Sequence, residues 1–257
     1  MFKRIRAKKS LGQNFLKNKS KLRKIAEVLE LKKGDTVIEI GPGHGELTRE
    51  IRNKSKEIRI IAIEKDVKLA EFLRKEFSED KKIEIVEGDA LKVLKSYVLD
   101  LKSYKIAGNI PYYITGYLLR IISELKTKPD LTVLTIQKEV AQRICAQAPD
   151  MNLLAASVQF WADPKIISYI SKKDFVPVPK VDSAIIRLRI KNKEIKIKDS
   201  DYYAFIKVLF KQPRKTIINN LSPSGKKEEI LKTLLKTGIK PGDRPQNLNI
   251  EQIKKLI

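Results

Sequence analysis

The segment from Val37 to Glu46 constrains the fold more than any other part of the chain. It opens with β-branched apolar residues, which favour a buried strand: Val37, Ile38 and Ile40. Glycines then follow at alternate positions: Gly41, Gly43 and Gly45. Because glycine has no Cβ, the chain can turn sharply here and a ligand can approach the backbone. The dinucleotide fingerprint G-x-G-x-x-G places its third glycine one residue later, so the turn alone is a weak signal.

Two further predicted strands end on acidic residues. Residues 58–63 form an apolar run, downstream of the glycine turn, that ends on Glu64, where a carboxylate can accept hydrogen bonds from ribose hydroxyls. Residues 83–86 lead to Asp89, which can accept a hydrogen bond from an adenine amino group. Together with the glycine turn, these acids predict a nucleoside cofactor. The alternative is a plain α/β domain with a tight turn and two solvated acids.

Strand and helix patterns alternate along most of the chain. The predicted strands are 35–40, 58–63, 83–87, 104–108, 131–136, 164–170 and 183–190. The predicted helices are 45–52, 66–77, 113–125, 138–147 and 152–161, after a first helix capped by Ser20. Such alternation predicts an α/β domain with a mostly parallel sheet whose ligands bind beyond the carboxyl ends of the strands.

A second domain is expected after residue 190. Residues 191–200 resemble a charged linker, and the helical patterns beyond it cover 201–211, 214–221, 226–237 and 249–256. We therefore divide the chain into a cofactor-binding domain with a basic N-terminal arm, 1–190, and a small helical domain, 191–257. Residues 180–257 hold 19 Lys and Arg against 8 Asp and Glu, a net charge of +11, and predict a basic face for structured RNA.

The charge of the whole chain points to a polyanionic partner. Its 54 Lys and Arg against 31 Asp and Glu give a formal charge of +23. Nucleic acid is the first candidate and an anionic membrane surface the second. A lysine-rich thermophile composition would explain the 33% of charged residues and the scarcity of Cys and Met, but not this imbalance.

The basic N-terminal arm is more than a charged tail. Residues 1–24 hold ten Lys or Arg, among them Lys3 and Arg4, and no Asp or Glu. Amide and apolar side chains interrupt the charges: Gln13, Asn14, Phe15 and Leu16. We predict that the arm folds onto the cofactor pocket and also faces phosphates, whereas a disordered basic tail would not need the apolar pair.

Several classes of site are excluded by composition. Cys145 is the only cysteine and His44 the only histidine, so intramolecular disulfides, Cys/His zinc sites and histidine-based triads cannot form. The sequence predicts no metal cofactor. With no apolar run long enough to cross a bilayer and no signal-peptide core, we expect a cytoplasmic protein that does not span a membrane.

The predicted strand 104–108 ends in a second informative motif, Asn109-Ile110-Pro111-Tyr112. Proline stiffens the turn and favours an extended conformation at the residue before it. The Asn109 side-chain oxygen and the Ile110 carbonyl can then point the same way, beside the flat face of Tyr112. Two acceptors beside an aromatic ring suit the exocyclic amine of a stacked base. The alternative is an ordinary proline turn with a core tyrosine.

These motifs resemble those of a known enzyme family. Gly-Pro-Gly-His-Gly after the first strand and Asn-Ile-Pro-Tyr after the fourth resemble amino-group methyltransferases that use S-adenosylmethionine. Gln13-Asn14-Phe15-Leu16 and the stretch from Phe175 to Ser183 narrow the resemblance to ribosomal RNA adenine dimethyltransferases. The likeness covers almost the whole chain and implies the Rossmann-like fold of class I methyltransferases.

The resemblance assigns roles to individual residues. The cofactor set is Gln13, Asn14, Leu16, Gly41, Gly43, Gly45, Glu64, Lys65, Asp89, Ala90 and Asn109. The catalytic set is Asn109, Ile110, Pro111 and Tyr112, with Tyr112 and Phe175 stacking on the target base. The segment Gly238–Pro241 with Arg244 and Pro245 resembles the small-subunit branch of the family.

That branch dimethylates two adjacent adenosines in the hairpin loop near the 3′ end of small-subunit RNA, which implies the immature 30S-type particle as partner and a monomeric enzyme. The large-subunit enzymes of macrolide resistance and a non-catalytic assembly factor remain as alternatives. A DNA adenine methyltransferase would lack the motifs Gln13–Leu16 and Phe175–Ser183. A NAD-dependent oxidoreductase would need the spaced third glycine and an acid/base group.

The sequence departs from the family pattern at Pro213, where the family has an arginine. The proline either alters an RNA contact or begins a helix.

Overall fold

The computed structural model describes residues 5–191, 197–222 and 227–257. Lys3 and Arg4 of the predicted arm, and half of the linker-like segment 191–200, lie outside these ranges. The strands are β1 Phe15–Leu16, β2 Thr36–Ile40, β3 Arg59–Glu64, β4 Ile83–Glu87, β5 Lys105–Asn109, β6 Leu131–Gln137, β7 Ala162–Ile170, β8 Phe175–Val176 and β9 Ser183–Ile190. The helices are α1 Lys19–Val28, α2 Glu46–Lys54, α3 Val67–Glu76, α4 Ala90–Val98, α5 Thr115–Glu124, α6 Lys138–Ile144, α7 Leu153–Gln159, α8 Asp199–Leu209, α9 Ile217–Leu221, α10 Lys227–Lys236 and α11 Ile250–Lys255.

The main sheet has seven strands in the order β4-β3-β2-β5-β6-β9-β7. The pairs from β4 to β6 are parallel, and β9 runs antiparallel to β6. Helices connect the parallel strands, because parallel neighbours need a crossover between them. The predicted α/β class and mostly parallel sheet are confirmed, and the carboxyl ends of β2, β3, β4 and β5 meet at one edge.

Local chemistry explains where the helices begin. Asp66 caps α3 and Asp89 caps α4, each accepting a hydrogen bond from a backbone N–H two residues ahead. Helix α4 was not predicted, although Asp89 followed by apolar residues at helical spacing is a start signal. The cap of α1 is Asn18 and not the predicted Ser20, because the Asn18 side chain accepts a hydrogen bond from the Lys21 N–H.

Two compact units divide the chain, the first comprising Met1–Ala141 and Lys165–Ile190. Its apolar core joins α1 and α2 to the inner strands through Ile25, Ile51, Ile60 and Ile185. A two-stranded ribbon pairs β1 with β8 antiparallel, with Phe15 opposite Val176 and Leu16 opposite Phe175. The ribbon brings together two sequence motifs that lie far apart along the chain.

The second unit comprises Gln142–Pro164 and Lys191–Ile257. Its core contains the stacked rings of Phe160 and Tyr202, whose centroids are 3.7 Å apart. This unit takes in the chain beyond Lys191 and also residues 142–164, and α7 packs on α8 within it. The helix predicted at 214–221 begins only at Ile217 with Thr216 as cap, so Pro213 lies in an exposed loop and does not begin a helix.

Candidate active site

A cleft of about 980 Å³, open to solvent, lies at the carboxyl edge of the sheet in the first unit. Its walls come from residues before α1 and from the turns after β2, β3, β4 and β5. The predicted site residues that line it are Gln13, Asn14, Leu16, Gly41, Gly43, Glu64, Lys65, Asp89, Ala90, Asn109, Ile110, Pro111, Tyr112 and Phe175. The topology of the sheet thus brings residues from separate stretches of sequence to one place.

The glycine turn has two different uses. Gly43 has a φ of +62°, and a Cβ built on it would lie 2.9 Å from the ring of Phe15, so the backbone must be bare there. Gly45, which was assigned to the cofactor, does not line the cleft. A Cβ on Gly45 would instead approach Phe77 to 3.0 Å. This glycine therefore allows α2 and the end of α3 to pack closely.

Glu64 is a buried carboxylate fixed by main-chain donors. The N–H of Gly43 donates to Oε2 at 3.0 Å, and the N–H of Asp66 donates to Oε1 at 2.9 Å. Burial raises the pKa of Glu64, and these backbone hydrogen bonds oppose that rise. A carboxylate accepts about four hydrogen bonds, so capacity remains for the two hydroxyls of a ribose.

Asp89 sits in a more polar setting on the neighbouring strand end. Its Oδ1 caps α4 by accepting from the Leu91 N–H at 3.0 Å, and its Oδ2 accepts from Lys65 Nζ at 2.8 Å. Partial burial acts to raise the pKa of Asp89, but the hydrogen bonds from Lys65 and Leu91 outweigh it and the pKa is lowered. The ionised carboxylate is therefore an acceptor at neutral pH.

The amide of Asn109 is oriented by the chain before α1. Its Nδ2 donates to the backbone carbonyl of Asn14 at 2.8 Å. Within the described residues its Oδ1 accepts no hydrogen bond, which leaves the single acceptor of this side chain available in the cleft.

The Tyr112 hydroxyl forms a hydrogen bond that was not predicted from the sequence. The hydroxyl lies 2.6 Å from the Oγ of Ser183, a fully buried residue at the start of β9. Burial raises the pKa of Tyr112, so the phenol stays neutral. The ring is half-buried and lines the cleft next to Asn109.

Phe175 differs from its expected role. The ring lines the cleft but is only 1% exposed, and it belongs to the apolar core with Leu16 and Leu22. In this arrangement Phe175 is a structural wall residue and offers no open face to a base.

Asp66 is the most important residue near the cleft that the sequence reading missed. It is 1% exposed and accepts hydrogen bonds from Lys8 Nζ at 2.8 Å and from Gln13 Nε2 at 3.2 Å. Burial acts to raise its pKa, but the Lys8 and Gln13 hydrogen bonds dominate and the pKa of Asp66 is lowered. From the sequence alone, Asp66 suggests only a helix cap shortly after Glu64. Its partners Lys8 and Gln13 lie far from it in the sequence, so the contact could not be predicted.

Two structural findings concern metal sites and membrane-spanning helices. Across residues 5–191, 197–222 and 227–257, no group of three or more His, Cys, Asp or Glu side chains is arranged to hold a metal ion. Over those same ranges, none of the helices has the length and apolarity needed to cross a membrane.

Comparison with known proteins gives consistent matches. The family model for ribosomal RNA adenine dimethylase matches residues 4–257. Proteins named ribosomal RNA small subunit methyltransferase A are similar to this chain: that of Dehalococcoides mccartyi is 38% identical, covering 98% of this chain and 88% of its own, and that of Mycoplasma capricolum is 38% identical, covering 98% and 97%.

Solved structures show the same fold. A dimethyladenosine transferase from Plasmodium falciparum superposes with a TM-score of 0.81 at 25% identity, covering 94% of this chain and 95% of its own. The 23S rRNA methyltransferase ErmE superposes with a TM-score of 0.78 at 26% identity, covering 94% and 97%. The predicted Rossmann-like class I methyltransferase fold is thereby confirmed.

Proposed function

The chain belongs to the ribosomal RNA adenine dimethylase family, and we propose that it dimethylates small-subunit ribosomal RNA. The reaction transfers methyl groups from S-adenosylmethionine to the exocyclic amines of two adjacent adenosines in the 3′-terminal hairpin loop. The observation that carries this proposal is the position of Asn109, whose free Oδ1 lies in the same cleft as Glu64 and Asp89. Curated relatives at 36–38% identity carry the small-subunit name, which supports that branch.

The residues of the cleft suit S-adenosylmethionine. Bare backbone at Gly41 and Gly43 gives room for its amino-acid end, Glu64 would hold the ribose, and Asp89 with Ala90 would hold the adenine. When bound, S-adenosylmethionine supplies an electrophilic methyl group on a sulfonium sulfur. Lys65 pairs with Asp89, and its own side chain is exposed.

Asn109 and Ile110 act on the target nitrogen. The amine of adenine is a poor nucleophile because its lone pair is delocalised into the ring. If its two N–H groups donate hydrogen bonds to Asn109 Oδ1 and to the Ile110 carbonyl, the nitrogen becomes pyramidal and its lone pair becomes available for attack. The new C–N bond forms as the C–S bond breaks with its electrons on sulfur, and the resulting ammonium loses a proton to water. No basic side chain is required before transfer.

Tyr112 holds the base that leaves its stack. Unstacking a base costs a few kcal/mol, and less for an unpaired loop base, while stacking on an aromatic ring returns about 1–3 kcal/mol. The hydrogen bond to Ser183 fixes the ring before the base arrives, which lowers the cost of ordering it.

The excess of basic side chains supports RNA as substrate. We propose that the immature small-subunit particle presents the hairpin, that the arm and the helical unit contact its phosphates, and that the enzyme acts as a monomer in the cytoplasm. The +23 formal charge supports such a partner because phosphate contacts dominate affinity for nucleic acids. Binding should therefore weaken as salt rises.

The proposal is tested with purified protein, radiolabelled S-adenosylmethionine and undermethylated ribosomal particles of each subunit, followed by mapping of the labelled nucleotides. Label in two adjacent adenosines of the small-subunit hairpin is the expected result. Label in the large-subunit RNA would assign the chain to the branch that methylates 23S rRNA. Tight particle binding without label would leave a non-catalytic assembly factor.

A further inference from the structure

The segment Ile5–Leu16, here called the strap, lines the cleft with its second half, from Leu11 to Leu16, and is fixed at several points. His44 Nε2 lies 3.0 Å from the Ile5 carbonyl oxygen, and the rings of Phe15 and His44 meet edge to face with centroids 4.3 Å apart. At its far end the strap joins β8 through the pairing of Leu16 with Phe175. A chain segment outside the main sheet is thus docked along its length.

The centre of the strap is fastened by one buried acid. Asp66 Oδ1 accepts from Lys8 Nζ and Oδ2 accepts from Gln13 Nε2, while Gln13 Oε1 accepts from the Lys8 N–H at 2.7 Å. The side chain of Asp66 is fully buried, whereas that of Lys8 is 42% exposed. Because the hydrogen bond from Lys8 is assisted by opposite charges, this acid favours the docked strap.

The strap also contacts the amide that faces the substrate. The Asn14 carbonyl accepts from Asn109 Nδ2 at 2.8 Å. A planar amide has its oxygen opposite its nitrogen, so this hydrogen bond decides which end of Asn109 points into the cleft. With the strap displaced, the amide is free to turn and to present N–H donors, which repel the N–H groups of an adenine amine.

We propose that the strap is a positioning element for methyl transfer, with Asp66 as its latch and the Asn14 carbonyl as the contact that sets the orientation of Asn109. This inference rests on the proposed function, since it assigns a task to the same catalytic amide. The inference goes beyond a role for Gln13 and Asn14 in covering the cofactor. It makes the rate of methyl transfer depend on Asp66, which does not line the cleft.

The test replaces Asp66 by asparagine. Asp66→Asn keeps a good helix cap for α3 but puts an amide donor against Lys8 or Gln13. We expect the single-turnover methylation rate, at saturating S-adenosylmethionine and particle, to fall about 10- to 100-fold, as for the loss of a buried charge-assisted hydrogen bond. The KM for the particle should change less than about threefold. Lys8→Met should act in the same direction, and the double variant should fall no further than Asp66→Asn alone.

A second readout does not depend on activity. Trypsin cleavage after Arg6 and Lys9, followed without cofactor, reports whether the strap is docked, and Asp66→Asn should accelerate it about tenfold or more. Asp80→Asn is the matched control, because it breaks the Asp80–Arg52 ion pair of the same unit away from the strap. That variant should leave both the rate at saturation and the cleavage of the strap unchanged.

The outcomes separate the inference from the proposed function. An Asp66→Asn protein that binds S-adenosylmethionine more weakly by calorimetry but transfers at the wild-type rate when saturated would overturn the positioning role and leave a simple cofactor cover. Unchanged trypsin cleavage would overturn the latch. A wild-type protein that fails to methylate either subunit would overturn the proposed function itself, and this inference with it.

Discussion

The two sides of the cleft are built in different ways. One side, the strand-end wall, consists of Gly41, Glu64, Asp89 and Asn109, which lie at or within two residues of the carboxyl ends of parallel strands. The other side is the strap, which lies outside the main sheet and is held by side chains such as Asp66. The strand-end wall is positioned by the core, whereas the strap is positioned by a few long-range hydrogen bonds.

This difference indicates how the two walls respond to change. A substitution in the strand-end wall changes a side chain whose backbone is supported by the core, so activity should be lost while the fold is kept. Damage to the strap releases a segment whose local stability is only a fraction of the total. The strap should therefore lose order under conditions in which the sheet remains folded.

The largest effect is expected where the two walls meet, at Asn109. Asn109→Ala removes both the acceptor for the target amine and the donor to Asn14, so methyl transfer should fall at least about 1,000-fold, above the usual loss for one stabilising group. Binding of S-adenosylmethionine, measured by calorimetry, should change only a few-fold. Asn53→Ala on the exposed face of α2 is a control that should behave as wild type. Turnover retained by Asn109→Ala would remove this residue from the mechanism.

A second prediction concerns the core beneath the strand-end wall. Glu39 on β2 is fully buried, and burial raises its pKa to about 8. An unfolded glutamate has a pKa of about 4.3, so between these values the folded state holds a proton that the unfolded state has lost. The free energy of unfolding should therefore decrease as pH rises from about 4.3 to about 8, by at most about 1.4 kcal/mol per pH unit from this group.

Glu39→Gln should remove that dependence, because glutamine stays neutral. Urea unfolding followed by circular dichroism at pH 5 to 8 should show similar stabilities at the lowest pH and a variant more stable by a few kcal/mol near pH 8. Parallel pH profiles for the two proteins would contradict the assignment. Trypsin cleavage of the strap provides the contrast, since it should respond to Asp66→Asn and not to Glu39→Gln.

The smallest effect is expected at Tyr112. Tyr112→Phe keeps the ring but loses the hydrogen bond to Ser183, so the KM for the particle should rise about three- to tenfold, the effect of one neutral hydrogen bond. Ser183→Ala should match it, and the double variant should not be additive. Tyr117→Phe, at a tyrosine that is 68% exposed, is the control and should have no effect. If Tyr112→Phe were indistinguishable from wild type, the hydroxyl would not position the ring.

The contrast between the walls also explains which contacts could be predicted. Glu64 and Asp89 were found because each follows a recognisable apolar strand, and parallel strands place their carboxyl ends together. The helix at Ala90–Val98 was missed although its cap was visible. The family resemblance assigned Phe175 a stacking role, yet the pairing of Phe175 with Leu16 buries its ring in the core.

By itself, the sequence determined the alternation of strands and helices apart from α4 and the β1–β8 ribbon, and it determined the family. It also predicted which strand-end residues meet at the carboxyl edge of the sheet. It did so because apolar periodicity and glycine placement act over a few neighbouring residues. Only the tertiary structure decided that Asp66 fastens the strap, that Ser183 anchors Tyr112 and that the Asn14 carbonyl orients Asn109. Each of these contacts joins residues that are distant in the sequence, and their pairing depends on how the layers of the fold come together.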